Sequence, residues 1–440
     1  MRTIRKRTNR QGSVCRKVGL SLSRTEEAAL NLERKSAGTV VELFCGAGGL
    51  GLGFLAQGFK IIWAADAHPA AVATYRKNIG DHIEEIRLDW HTPLPRCDVI
   101  IGGPPCQGFS SAGLRKPGDA RNSLVAVFAR LVAQHRPEAF VFENVEGFLT
   151  GEGGRWVTDL LDPLVDAGYC IHLRKVSAAN YGVPQHRKRV LAIGGLGWDP
   201  GFPEVTHRAT GAPGADRVVG DLPWCDSVLK ALHGLPPAAD DPAHAAISDH
   251  YCRWPNTIDR LRFEALGVGQ TMKDIPEHLW HETYRRRAFR RVMDGTPTER
   301  RGGAPSGLRR LDPNLPSKAI TSGAISEFVH PTAHRNLTLR ECARLQTFPD
   351  DFQFEGTQAQ RAQLIGNAVP PRFAGTIAAH LAHVLGERTE LKAEPGLMSF
   401  VPTHSVGMSP ALQNTVAAVE GRYRSLSRYR QIPLFAEKIA

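Results

Sequence analysis

Short apolar runs alternate with amphipathic stretches from Thr39 onward. TVVELF (Thr39–Phe44) has the length and composition of a buried strand, and a glycine-rich loop and a helical stretch follow it. KIIWAAD (Lys60–Asp66) repeats the strand pattern, and AAVATYRKN (Ala70–Asn78) the helical one. IRLDW (Ile86–Trp90) has the form of a third strand ended by Asp89. CDVIIGG (Cys97–Gly103), AFVFENV (Ala139–Val145) and KRVLAIGG (Lys188–Gly195) are further strands. Between the first two of these, NSLVAVFARLVAQHRP (Asn122–Pro137) is an amphipathic helix stopped by proline. Strands alternating with helices predict βαβ units, and so an α/β fold with a mostly parallel, Rossmann-like sheet covered by helices on both faces.

The texture changes near Trp198. Residues 200–312 are rich in Pro, Gly, His and Arg and show little periodicity, which predicts a smaller, irregular second domain. NLTLRECARLQTF (Asn336–Phe348) is a helix with a cap signal at Thr338. QLIGNAVPPRFAGTIAAHLAHVL (Gln363–Leu385) reads as a loop and then a long helix opened by prolines. The expected divisions are a basic extension over 1–36 and a first domain over 37–199. The irregular domain follows over 200–355, then a returning segment over 356–390 and a weakly patterned tail over 391–440. SRTEEAALNLERK (Ser23–Lys35) in the extension reads as a short capped helix.

Composition narrows the class. The 440 residues carry a net charge of +11, which favours a polyanionic partner. No apolar run is long enough to span a membrane, and the basic start lacks the apolar core of a secretory signal. Eight scattered cysteines form no C-x-x-C pair, so a zinc site is not expected and a reducing cytoplasm is. Nine arginines crowd the stretch from Trp280 to Arg310: Arg285, Arg286, Arg287, Arg290, Arg291, Arg300, Arg301, Arg309 and Arg310. Such density suits phosphate contacts, although a solvated basic face has the same signature.

The candidate chemistry sits at strand ends. ELFCGAGGLGLGF (Glu42–Phe54) holds a G-x-G-x-x-G at Gly46, Gly48 and Gly51, with Asp66 ending the next strand. That arrangement holds a ribose-bearing cofactor, and a dinucleotide oxidoreductase would share it. GGPPCQGFS (Gly102–Ser110) stiffens the chain around Cys106 with two prolines. Taken alone it is also what a strand-ending turn with an incidental thiol looks like. Glu143 ends another strand, so Gly46, Asp66, Asp89, Cys106 and Glu143 would share one sheet edge. Gln185, Arg187 and Arg189 alternate before the last strand and would face the same way. A thiol and a carboxyl group beside a nucleoside site imply covalent chemistry with proton support, for which the oxidoreductase has no use.

The ordered series ELFCGAGG, Asp66, Asp89, GGPPCQGFS, FENV, QHRKR, RNLTLRECARLQTFP and GNAVPP resembles the C5-cytosine DNA methyltransferase family. The resemblance spans roughly residues 39 to 385 and leaves only the irregular basic segment unmatched, where that family carries its target-recognition domain. It implies S-adenosyl-L-methionine as cofactor, S-adenosyl-L-homocysteine as product, no metal, and duplex DNA as substrate. It assigns Cys106 as the nucleophile on cytosine C6, Glu143 to N3 and the exocyclic amine, Arg189 near O2, and Arg187 to support of the catalytic loop. It assigns cofactor contacts to Phe44, Gly46, Gly48, Gly49, Asp66 (ribose), Asp89 (adenine amine), Pro105, Leu124, Asn367 and Val369. Where the family often has Asp and Glu, this chain has Glu42 and Asp66, with the charge kept. The compact chain is most similar to bacterial restriction-modification enzymes. That implies a cytoplasmic monomer acting on the nucleoid and functionally paired with a restriction endonuclease. A tRNA cytosine-5 methyltransferase of the same fold, a non-catalytic DNA-binding relative and a self-regulating bifunctional enzyme are the alternatives. The first should carry a Cys-Phe-Thr element, absent here; the second should lack Cys106 or Glu143; the third needs more than a 36-residue extension.

Overall fold

A computed structural model describes residues 36–105, 124–211, 218, 220–252, 255–285, 307–387, 393–403 and 407–423. The chain divides into Met1–Ser36 and Ala37–Ala440, and the description concerns the second unit. The expected helix Ser23–Lys35 lies outside the described residues.

Twelve strands occur among the described residues. They are β1 (Thr39–Leu43), β2 (Lys60–Asp66), β3 (Ile83–Glu85), β4 (Val99–Gly102), β5 (Ala139–Val145), β6 (Tyr169–Ser177), β7 (Gln185–His186), β8 (Lys188–Leu196), β9 (Arg309–Arg310), β10 (Ser317–Lys318), β11 (Phe328–Val329) and β12 (Gly396–Val401). Eight of them form one sheet in the order β12-β6-β8-β5-β4-β1-β2-β3. All its pairings are parallel except those of β8, which runs against both β5 and β6. The chain moves outward from β1 to β2 and β3 and then returns to β4 on the other side of β1. That reversal opens a crevice at the carboxyl ends of β1 and β4, where open α/β sheets take their ligands.

Helices α1 (Gly49–Leu55), α2 (Pro69–Asn78), α3 (Leu124–His135), α4 (Arg155–Asp166), α5 (Leu339–Leu345), α6 (Gln358–Asn367), α7 (Pro371–Gly386) and α8 (Pro410–Tyr423) carry most of the packing. Strand side chains alternate between two cores. Ile100, Phe140 and Phe142 face α3 and α4, whereas Val99, Ile101 and Val141 face α1 and α7. A third core, around Leu345, Phe348 and Phe352, joins α5 and α6 to the loops before them. Thr338 caps α5 and exchanges bonds with Glu341, as its sequence predicts.

Several elements depart from expectation. Gln363–Asn367 is the last part of α6, capped at Thr357, and not a loop. Asp89 does not end a strand, because β3 stops at Glu85 and Asp89 opens a turn held by Thr92. The tail beyond 391 holds both β12, which extends the sheet beside β6, and α8. Neither β6 nor α4 stands out in the sequence pattern. No helix among the described residues is long and apolar enough to cross a membrane.

Candidate active site

A cavity of about 950 Å³ lies at the crevice. Its lining includes Phe44, Gly46, Asp66, Pro105, Leu124, Glu143, Arg189, Asn367 and Val369. Gly48, Gly49, Asp89 and Arg187 are not on it. Cys106 lies outside the described residues, one position beyond cavity-lining Pro105.

The floor is built by the loop after β1. Phe44 adopts φ 54° and Gly46 φ 55°, so the chain turns sharply off the strand. Nothing lies within 4 Å of where a Gly46 Cβ would stand, which leaves that face of the backbone open to a ligand. The Gly46 N–H donates to Asp66 Oδ2 at 2.8 Å and the His68 N–H to Oδ1 at 2.9 Å. Each carboxylate oxygen keeps a second acceptor direction, which suits ribose hydroxyls. His68 also faces the cavity, and its buried Nδ1 has no partner. These features fit a nucleoside cofactor. Among the described residues no cluster of three His, Cys, Asp or Glu could hold a metal ion.

Gly48 and Gly49 serve packing. A Cβ on Gly48 would lie 2.3 Å from Ile79, and one on Gly49 would lie 2.2 Å from the Val369 carbonyl. They let α1 approach α2 and the Val369 segment, and so bring that segment to the cavity. Beneath the loop Glu42 is fully buried. It accepts the Gly51 N–H at 3.0 Å and the Tyr75 hydroxyl at 3.3 Å. Burial pushes its carboxyl up to about 8 against those two bonds. Asp89 is exposed and its Oδ1 is occupied by the His91 N–H and the Thr92 hydroxyl.

The far end of the cavity follows from strand register. Val145 on β5 faces Arg189 on the antiparallel β8, so Glu143, two residues back, is Arg189's diagonal neighbour on the same face. Arg189 Nε lies 2.7 Å from Glu143 Oε1, an ion-pair contact made off the N–H direction. Oε1 therefore has no aligned donor although it is buried. Gly103 passes close to the other oxygen, where its Cβ would stand 3.2 Å away. Asn144 Nδ2 donates to the Pro104 carbonyl at 2.9 Å and ties the strand end to the proline loop. The only sign of that tie in the sequence is an amide beside Glu143.

Gln185 and Arg187 turn into the protein, away from the crevice. Arg187 is buried and donates to the carbonyls of Ile320 (2.8 Å), Gly366 (2.8 Å) and Ala368 (2.9 Å). Burial and the charge of Arg189 press its pKa down. Gln185 bonds Leu345 and Gln346 and accepts the Ile320 N–H. Arg187 thereby holds the Asn367–Val369 wall against the sheet, and Gln185 holds the segments of Ile320 and Leu345–Gln346 beside it. The alternation predicted for this segment breaks because β7 and β8 are separate strands, β7 pairing with β10.

Of the nine arginines between Trp280 and Arg310, only Arg285, Arg309 and Arg310 are among the described residues. Arg310 is buried and gives its N–H groups to the carbonyls of Leu266, Phe263, His330 and Ala333. Its guanidinium is a structural staple, spent on these carbonyls.

The model of the C-5 cytosine-specific DNA methylase family matches residues 38–383. The chain is 31% identical to the Type II methyltransferase M.AgeI of Thalassovita gelatinovora, over 77% of this chain and 97% of that one. It is 33% identical to the Type II methyltransferase M.NgoFVII of Neisseria gonorrhoeae, over 80% and 88%. The crystal structure of a protein described as a DNA modification methyltransferase encoded within an E. coli prophage superposes with a TM-score of 0.57. Its identity is 26%, covering 79% of this chain and 99% of that one.

Proposed function

This chain belongs to the C-5 cytosine-specific DNA methylase family, and from that premise we propose that Cys106 attacks a flipped-out cytosine while Glu143 and Arg189 hold the base. The enzyme is a DNA cytosine-5 methyltransferase of restriction-modification type. The observation that carries the residue roles is the buried Glu143–Arg189 pair, both members of which line a cavity that the proline loop also lines.

Cytosine C5 is too weak a nucleophile to accept a methyl group unaided. The Cys106 thiolate adds to C6, the C5–C6 π electrons move to C5, and the Glu143 carboxyl group offsets the charge on the ring by donating its proton toward N3 while accepting from the exocyclic amine, and recovers that proton when the ring is restored. S-adenosyl-L-methionine, when bound, supplies an electrophilic methyl group. Loss of the C5 proton to a base then expels the thiolate and restores the ring. Arg189 keeps the Glu143 carboxylate aimed, and Arg187 fixes the Asn367–Val369 wall. Asp66 and the open face of Gly46 hold the ribose end of the cofactor, between Phe44, Leu124 and Val369. Pro104 and Pro105 hold the thiol at a fixed reach. A base inside a duplex is out of reach of this cavity, so it must leave the stack at a cost of a few kcal/mol.

Residues 200–355 act as the target-recognition domain in this reading. The protein works as a monomer on DNA in the bacterial cytoplasm and protects it from a partner endonuclease. Cys106→Ser should abolish transfer while sparing DNA binding, because a serine hydroxyl is a far poorer nucleophile near neutrality. Duplex carrying 5-fluorocytosine should be trapped as an adduct stable to denaturing electrophoresis. Turnover of Cys106→Ser within tenfold of wild type, or no trapped band, would sink the covalent role. Bisulfite sequencing of DNA from expressing cells reports activity and target together.

A further inference from the structure

The family match ends at residue 383, yet the chain adds two more elements. β12 joins the sheet beside β6, and α8 packs on α4 and on the turn Gly151–Gly154. We propose that α8 positions one wall of the cofactor cavity, the segment Gly147–Trp156, through the side chain of Thr415. This rests on the reading that the cavity holds S-adenosyl-L-methionine.

Gly147, Thr150, Gly151 and Trp156 all line the cavity. The wall has little structure of its own. It consists of two single turns of 3-10 helix, joined through Thr150. Three successive residues are left-handed, Glu152 (φ 46°), Gly153 (φ 69°) and Gly154 (φ 92°). The first is not glycine, a conformation that persists only where the surroundings impose it. The Trp156 ring rests on Gly151, where a Cβ would stand 2.0 Å from it, so the indole follows the backbone of that turn.

Thr415 supplies the constraint. It is fully buried, and its hydroxyl donates to the Leu149 carbonyl at 2.9 Å, with Ala411 of its own helix the competing acceptor at 3.2 Å. The same oxygen lies 2.6 Å from where a Gly154 Cβ would stand. One side chain thus grips the wall on both sides of Thr150 and Gly151. The end of α8 is anchored to α4: Arg422 reaches both oxygens of Asp162 (2.7 and 2.6 Å), and the Tyr423 hydroxyl donates to it at 2.6 Å. Val419 and Tyr423 share a core with Phe148 and Leu149. The wall, α4 and α8 are therefore tied into one packed body.

The test uses the full chain with two substitutions at one position. Thr415→Val keeps the shape and removes the hydroxyl, whereas Thr415→Ser keeps the hydroxyl. Calorimetry with S-adenosyl-L-homocysteine should show about three- to tenfold weaker binding for Thr415→Val and near wild-type binding for Thr415→Ser. Hydrogen exchange in the ligand-free protein should rise about tenfold at residues 147–156 in Thr415→Val only. Unchanged affinity in Thr415→Val overturns the proposal, even with a lowered melting temperature, since that marks a merely structural contact. Equal losses in both variants overturn the role of the hydroxyl. Wild-type protein that failed to bind S-adenosyl-L-homocysteine would remove the cofactor reading, and unchanged exchange at the wall would separately overturn the buttress.

Discussion

Asp66 receives two backbone N–H groups and still has acceptor capacity turned to the cavity. Asp66→Ala should therefore weaken S-adenosyl-L-homocysteine binding by about 1–3 kcal/mol, the range for hydrogen bonds to a charged group. Calorimetry reads this directly, and unchanged affinity would remove the ribose from Asp66. Glu42 makes a different prediction, in pH. Burial raises its folded pKa from the ordinary 4.5 to about 8, so the native state binds the extra proton between those values. Stability should then fall as pH rises from about 4.5 through about 8 and level off above, since raising the pH disfavours whichever state holds more protons, here the native one. Glu42→Gln fixes the neutral form and should flatten that slope. A wild-type melting temperature that rises from pH 6 to 8 while the variant's is flat would contradict the assignment.

At the scale of elements, Arg187 joins β8's leading end to three distant carbonyls. Arg187→Ala should cost about 2–4 kcal/mol of stability in urea, because several buried carbonyls lose their donors at once. Arg187→Lys should recover little, since one ammonium cannot span positions set for a planar fork. Recovery by lysine would mean that charge, not geometry, is what the site needs. The strands that build the cavity were legible as apolar runs ended by Glu143, Asp66 and the proline loop. The Thr338 cap was legible too, because caps and buried strands are local patterns. What escaped is non-local. β6 carries His172, Arg174 and Lys175 in a position buried on both faces, and its sequence argues against a strand. His172 is satisfied by Ser399 and Asp199, each at 2.7 Å, and Arg174 also reaches Ser399. Those partners come from β12 and the loop after β8, so β6 and β12 each look implausible without the other. The direction of β8 was likewise invisible, although it is what puts Arg189 beside Glu143. α4 is the exception. Val157, Leu160, Leu161, Leu164 and Val165 have helical spacing, and Pro163 disguises it.

Across the whole molecule, a charge of +11 predicts salt-dependent DNA binding, but the basic side chains are not equivalent. Arg310→Ala should destabilise the fold by roughly 2–4 kcal/mol while leaving the slope of log affinity against log salt unchanged for the protein that remains folded. Arg309→Ala, which frees no carbonyl, should flatten that slope by about one unit if Arg309 meets a phosphate. A flattened slope in Arg310→Ala would mean that its guanidinium leaves the interior on DNA.

The cavity lining begins at Glu42 and ends at Val369, so most of the chain separates its two walls. At roughly 5–20 residues per second of synthesis, the glycine loop waits on the order of 15–65 seconds for the segment that closes over it. The ribosome therefore releases a sheet whose ligand edge stays open until the segment up to Val369 has been made. A chain stopped at 350 should bind no S-adenosyl-L-homocysteine in a filter assay, and measurable retention would disprove this. Methylation in that sense needs both walls at once: copies terminated before Val369 should leave the genome unmarked instead of marking it at the wrong sites.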